Sequence, residues 1–510
     1  MWDDVANVQT PLPDMPGGVV RVYPASGAVA MLPLTPANNY TPSIIFCGGS
    51  DMPDEAWGNY SYPWINTWDY PASKDCQRIT PEPQDGSTPA YEQDDDMLEG
   101  RTMGQFIILP TGKLFVVNGA LNGTAGYGQN TLLVPSLGFM PFGESLASGP
   151  VLTPAVYDPN AARGKRWGRD DLGSSRIPRL YHSSAILLPD GSVLIAGSNP
   201  NIDVNTSTIF PTTYQAEIFY PSYFSASTRP APTGMPKTLT YGGPFFNITI
   251  PASSYSGPSN TAAASATCVI LRGGFTTHAM NMGQRFLQLN NTYTVNSDGS
   301  IILHVAPVPP NPNLFQPGPA LLFVNVNGIP CINASYVIVG NGQIGPQPTS
   351  PSPILPPNIL SSASGTASGS NSTGMASVNN GSQNSKLNLG VIIGSVAGGL
   401  AILAALGAFI GIYLARRKRD TVPSTNMTGS GAAAGAMGSR GKRTSDSDSS
   451  AFIPLRQSAV WNASTTSLPY KDDVADSRGS VGLSMMDGDP YAASTPMQSH
   501  EYLGAQQYRY

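Results

Sequence analysis

The chain has four histidines, His182, His278, His304 and His500, and two of them stand where metal chemistry is possible. His182 follows Tyr181 in the run RLYHS at the head of an apolar strand pattern. His278 lies in RGGFTTHAMNMGQR, a Gly- and Met-containing loop between two strand patterns. Imidazole nitrogen suits a borderline cation such as Cu(II), and phenolate oxygen can complete its set. Tyr181, His182 and His278 are therefore the candidate metal donors. His304 falls inside a strand pattern and His500 in the far tail. By residue type alone, a Tyr-His pair at a strand end is commonly a hydrogen-bonded structural pair, and chain order does not assemble a site. The four cysteines lack metal-type spacing, so no thiolate zinc site is expected. They divide as Cys47 with Cys76 and Cys268 with Cys331, and an oxidising compartment would allow one disulfide in each half. Asp94, Asp95 and Asp96 have no spaced calcium-loop pattern and read as a solvated acidic loop. Trp57, Trp64 and Trp68 suit cleft walls and buried wedges equally. Met280 and Met282 flank His278 and read as packing beneath its loop.

These residues need elements to position them. TMGQFIILPTGKLFVVNG at 102–119 superposes on YHSSAILLPDGSVLIAGS at 181–198, and PSIIFCGG at 42–49 supplies a third copy of the second strand. In each full copy an apolar run reaches Leu-Pro-x-Gly, turns, and ends in a second Gly-containing turn, which predicts two adjacent antiparallel strands. The unit resembles a kelch propeller blade, and such blades must stack to bury both faces. Past residue 224 the repeat stops. Six short strand patterns, at 245–250, 267–271, 286–289, 300–305, 320–326 and 336–339, are separated by Pro, Gly and Asn turns and predict an Ig-like β-sandwich. The expected fold is all-β: a partial kelch-type β-propeller over 1–223, then a β-sandwich over 224–345.

A Ser/Pro/Gly-rich stalk is expected over 346–388, a single transmembrane helix over 389–415, and a disordered cytoplasmic tail over 416–510. The run VIIGSVAGGLAILAALGAFIGIYL at 391–414 has no ionisable group except Tyr413, and Arg416, Arg417, Lys418 and Arg419 follow it directly, which predicts a cytoplasmic carboxyl end. Gly394 and Gly398 form a GxxxG within it. Sequons at Asn59, Asn122, Asn205, Asn247, Asn290, Asn333, Asn371 and Asn380 agree with an extracellular, glycosylated ectodomain. The opening MWDDVANVQTPLPDMPGG has no signal-peptide pattern, and a chain truncated at its N-terminus is the expected explanation. With 12% charged residues and a formal net charge of −5, the chain has no footprint for a nucleic-acid partner.

Residues 20–345 resemble the fungal copper radical oxidases, glyoxal oxidase and more distantly galactose oxidase. The stretches that carry the resemblance are RVYPASGAVAMLPLTPANNYTPSIIFCGGSD, WGNYSYPWINTWDYPASKDCQRITPEP, EGRTMGQFIILPTGKL, PRLYHSSAILLPDGSVLIAGSNPN, YFSASTRPAP and TTHAMNMGQRFLQL. The resemblance implies a kelch propeller followed by an Ig-like domain whose loop reaches back to a copper ion. It implies Tyr181 as the axial tyrosinate that accepts the substrate proton, and His182 and His278 as imidazole ligands. It implies a small aldehyde and O2 as substrates, with H2O2 released. The family's Cys-Tyr radical pair is expected upstream of RVYPASGA with no counterpart here, so the chain is expected to lack an equatorial ligand and to be inactive as written. The alternative expectation is a non-catalytic, membrane-anchored kelch binding or adhesion module.

Overall fold

The two Leu-Pro-x-Gly sequences make the same turn. Leu109 N donates to Lys113 O (2.9 Å) and Gly112 N to Leu109 O; Leu188 N donates to Ser192 O (2.8 Å) and Gly191 N to Leu188 O. Gly112 and Gly191 sit at φ +81° and +87°, which a side chain would strain, and this fixes strand register on both sides.

The computed structural model describes residues 1–3, 6–56, 65–169, 172–277, 280–362 and 452–454. A short pair, β1 (Trp2–Asp3) and β2 (Val8–Gln9), comes first. The first four-stranded antiparallel sheet follows, with β3 (Ala28–Met31), β4 (Ile44–Cys47), β5 (Cys76–Ile79) and β6 (Tyr91–Gln93) in chain order. The second begins with β7 (Gln105–Ile108) and β8 (Leu114–Val117). A separate hairpin, β9 (Ala120–Tyr127) and β10 (Pro141–Pro150), interrupts it before β11 (Ala155–Tyr157) and β12 (Trp167–Gly168) complete it. The third consists of β13 (Ser184–Leu187), β14 (Val193–Ala196) and β15 (Ala216–Phe219), with a distant strand at Phe452–Pro454 in fourth place. The first strands β3, β7 and β13 lie side by side, β7 touching both others.

The remaining strands form a two-sheet sandwich. They are β16 (Thr238–Leu239), β17 (Phe246–Ile250), β18 (Thr267–Arg272), β19 (Phe275–Thr277), β20 (Met280–Met282), β21 (Arg285–Leu289), β22 (Asn291–Val295), β23 (Ile301–Val305), β24 (Gly318–Val326), β25 (Ile329–Pro330) and β26 (Ser335–Val339). A short helix, α1 (Ser259–Ser265), precedes β18. The larger sheet runs β16-β26-β24-β18-β21 and the smaller β17-β23-β22, while β19 and β20 project as a hairpin. Period-two alternation assigns each face of β18 a different core. Cys268 and Ile270 join Ile248, Leu303 and Val324 inside the sandwich. Val269 and Leu271 join Phe106, Phe115 and Phe219 of the sheets. The sandwich is thus welded to the sheets by the outward face of its own central strand.

All six strands expected after residue 224 form, and the repeat yields its strand pairs. The all-β expectation holds; among the described residues the sheets do not close into a ring. Three corrections follow. Cys47 and Cys76 are directly paired across β4 and β5 and form a disulfide, but Cys268 and Cys331 are free and buried. Cys268 opposes Val324 on one side of β24, and Cys331 N donates to Val324 O from the other side. Two strand spacings, about 9.5 Å, put the pair beyond disulfide reach. The acidic run is only in part a solvated loop: Asp96 is exposed, but Asp94 is buried, with its carboxylate on Arg166 Nη1 (2.6 Å) and on the Tyr157 hydroxyl (3.0 Å). Burial, then Asp94, pushes the Tyr157 phenol up. Residues 452–454, expected in a disordered tail, form a strand. The expected transmembrane segment lies outside the described residues, among which no helix is long and apolar enough to cross a membrane.

Two measurements test this arrangement. Denatured but unreduced protein should expose two titratable thiols of the four cysteines. Glu217→Gln, which breaks the buried ion pair with Arg179 (3.0 Å), should lower unfolding stability by about 3 kcal/mol in a denaturant titration.

Candidate metal and redox site

An arginine two residues ahead of each site position anchors the start of every sheet. Arg21, Arg101 and Arg179 are all buried. Each donates from Nη1 to the carbonyl of the turn closing the second strand: Gly48 O (2.6 Å), Asn118 O (2.6 Å) and Gly197 O (2.7 Å). Each also pairs with an acid: Asp75, Glu99 (2.7 Å) and Glu217 (3.0 Å). Burial pushes the Arg101 guanidinium down to about 10, with Glu99 opposing. Burial also lowers Arg179, with Glu217 opposing. The residues two places on are Tyr23, Met103 and Tyr181, so the repeated anchor delivers three side chains to equivalent strand starts.

Tyr181 is buried and His182 exposed. Consecutive residues of an extended chain point to opposite faces, but His182 has φ +61°, in the left-handed region that non-glycine residues seldom occupy. That kink lays the two rings against each other, with centroids 3.7 Å apart and planes 26° from parallel. Asn199 N donates to Tyr181 O (2.8 Å), and the Gln105 amide donates to Ser183 O (2.6 Å), which pins the kink from both sides. Two further phenols converge on Tyr181: Tyr23, with its ring centroid 6.3 Å away, and Tyr127 from β9, 6.1 Å away. The Tyr23 segment is held in place by Ala125 N to Pro24 O (2.8 Å), Met103 N to Ser26 O (2.7 Å) and Thr102 Oγ1 to Ala25 O (2.6 Å).

Sequence reasoning missed Tyr23 and Tyr127. The signal for Tyr23 was present, since Arg21-Val22-Tyr23 repeats Arg179-Leu180-Tyr181. Tyr127 had none, because only the β9 hairpin brings it near.

His278 lies outside the described residues, as do Trp57 and Trp64; Trp68 is buried and Met282 is exposed rather than packed beneath the loop. The strands flanking His278 are placed, however. β19 rests on β13, and β20 on β3 and β7. At the hairpin base, the Gln284 side chain accepts from Ile108 N (2.8 Å) and donates to Phe106 O (3.2 Å), so it pairs with β7 as a backbone strand would. His304 is tied within the sandwich by Asn247 and Thr294.

Among the described residues no group of three or more His, Cys, Asp or Glu side chains is placed to hold a metal. The phenols and imidazole of the Tyr181 cluster are donor types that suit copper. A cavity of about 660 Å³ lies at the other end of the sheets, by the 109–113 turn, walled by Trp167, Phe219 and Tyr223. No Tyr181-cluster residue lines it.

The profile of the glyoxal oxidase N-terminus matches residues 3–223, and that of the galactose oxidase-like early set domain matches 229–339. Aldehyde oxidase GLOX1 of Arabidopsis thaliana is 33% identical over 339 residues, covering 64% of this chain and 49% of its own length. Aldehyde oxidase GLOX of Vitis pseudoreticulata is 32% identical over 337 residues, covering 65% and 57%. A galactose oxidase of Gibberella zeae is 30% identical over 239 residues, covering 46% and 28%. The solved structure of a fungal alcohol oxidase in complex with copper aligns at TM-score 0.42 and 20% identity, over 61% of this chain and 53% of that one. The chain spans about half the length of the aldehyde oxidases it matches.

Gln284→Leu should leave Ile108 N–H and Phe106 O without side-chain partners. The expected cost is about 1–3 kcal/mol in a denaturant titration, together with faster protease cleavage between residues 273 and 284.

Proposed function

Because the chain joins a glyoxal oxidase N-terminal domain to a galactose oxidase-like early set domain and so belongs to the glyoxal oxidase-like family, we propose that it forms the copper site of an aldehyde oxidase. The reaction is oxidation of an aldehyde hydrate to a carboxylic acid. The hydrate gives up two hydrogens, and O2 receives them as H2O2. The three sheets are read as blades of a kelch-type propeller and the sandwich as its Ig-like companion.

The observation that carries the reading is the convergence of Tyr181, His182 and Tyr23 beside strands that lead to His278. Gly273 lies against Ile186 of β13. β19, which begins two residues on, packs against β13. Tyr181, His182, His278 and Tyr23 are the residues that would hold copper. When bound, the metal would accept one of the substrate's two electrons and supply the centre at which oxygen is reduced, the second electron requiring a protein radical. Tyr181 Oη takes the substrate proton, and its burial keeps that proton out of bulk water. The His182 kink lays its imidazole against the Tyr181 ring. Tyr127 walls the site.

All four cysteines are committed elsewhere, two in the disulfide and two buried in the sandwich. None is left to crosslink a site tyrosine, so this chain by itself binds copper without turnover.

Purified chain loaded with Cu(II) should hold about one copper by metal analysis, and His182→Ala or His278→Ala should each weaken binding at least tenfold. Unchanged copper content in both variants would refute the assignment. Aldehyde-dependent peroxide release is expected to be absent from the copper-loaded chain.

A further inference from the structure

The third sheet differs from the other two in the origin of its outer strand. The first and second sheets draw their fourth strands, β6 and β12, from the chain directly after their third, and both are short, three and two residues. After β15 the chain turns at Pro221 toward the sandwich, so no such strand follows. The vacant place is taken by Phe452–Pro454, which we call β27. It is antiparallel to β15, with Phe219 opposite Phe452, Ile218 opposite Ile453 and Glu217 opposite Pro454. Its length matches β6, and its proline ends an edge strand, where a missing N–H costs no ladder bond.

We propose that the outer edge of β15 is a strand-acceptor site and that Phe452–Pro454 of this same chain is its occupant, a latch that completes the third sheet from far downstream. Without it, β15 presents a row of unpaired backbone donors and acceptors, the feature of sheet edges that invites pairing with other chains. Three residues contribute too little to hold a free peptide, so covalent linkage, which raises the local concentration of the strand, favours this segment over a second copy. The latch also constrains topology. Residue 452 lies beyond the apolar run at 391–414, so pairing requires both ends of that run on one side of any bilayer. The latched state and a single membrane crossing exclude each other. This inference rests on the β15 ladder and not on the copper reading.

The full-length chain carrying Ile218→Cys and Ile453→Cys tests it. Directly opposed antiparallel residues have Cα atoms about 4.5–5.5 Å apart, within disulfide reach. Mild oxidation followed by peptide mapping should give the 218–453 crosslink in most molecules, and the mismatched pair Ile218→Cys with Ser458→Cys should give little. Equal yields from the two pairs, or no crosslink in either, overturns the proposal. Ile453→Pro supplies a second readout that leaves residues 1–345 untouched. Amide exchange at Ile218, whose N–H faces the latch while those of Glu217 and Phe219 face β14, should accelerate at least tenfold while β13 and β14 stay protected; unchanged exchange at Ile218 also overturns it.

Discussion

The arrangement depends on one contact, the hairpin β19–β20 lying on the first strands of all three sheets. It belongs to the sandwich by connectivity and to the sheets by packing. Gln284 makes this possible by offering β7 an acceptor for Ile108 N and a donor for Phe106 O where a neighbouring strand would otherwise be needed. A buried backbone group without a partner costs more than an average hydrogen bond contributes, so the hairpin and β7 hold each other in place. The shared core, with Leu271 and Phe286 against Phe106 and Phe115, keeps the sandwich from pivoting.

The second organising device is the arginine repeated at each strand start. A buried guanidinium is expensive to desolvate, and burial depresses all three. Each offsets that cost with an acid and with a carbonyl of the turn beyond the second strand. The turns are tightly constrained in return: a Cβ on Gly119 would lie 2.2 Å from Thr102 O, and one on Gly49 would lie 2.2 Å from Val20 O. The arrangement locks the end of each strand pair to its own beginning, and Gly49 N to Arg101 O (3.0 Å) and Gly119 N to Arg179 O (2.9 Å) tie it to the next. Tyr23 and Tyr181 are therefore held by equivalent scaffolds though 158 residues apart in sequence.

Buried charge elsewhere follows the same rule. Asp94 loses solvent but gains Arg166 and Tyr157, and the neighbouring Asp95 accepts from Gly164 N and Arg166 N. In a run of three aspartates that suggests solvent by composition, Asp94 and Asp95 are, in the folded chain, a brace between the first and second sheets.

The sequence alone determined the strand pairs, because Leu-Pro-x-Gly dictates a turn and alternating apolar residues dictate faces. It also determined the sandwich strands, since these follow from local spacing or from motifs contiguous in the chain, and it allowed a Cys47–Cys76 link without deciding it. It did not determine that Cys268 and Cys331 sit on opposite sides of β24, because equal cysteine counts in a half carry no information about which strand lies between them. Nor did it reveal Tyr127, Gln284 or the strand at 452–454, whose roles arise from neighbours brought near only by sheet packing. Tyr23 falls between the two cases: its motif was readable, but its proximity to Tyr181 required the sheets to stand side by side. Periodicity specifies which way a side chain faces, whereas what it meets there is decided by long-range contacts that no local pattern encodes.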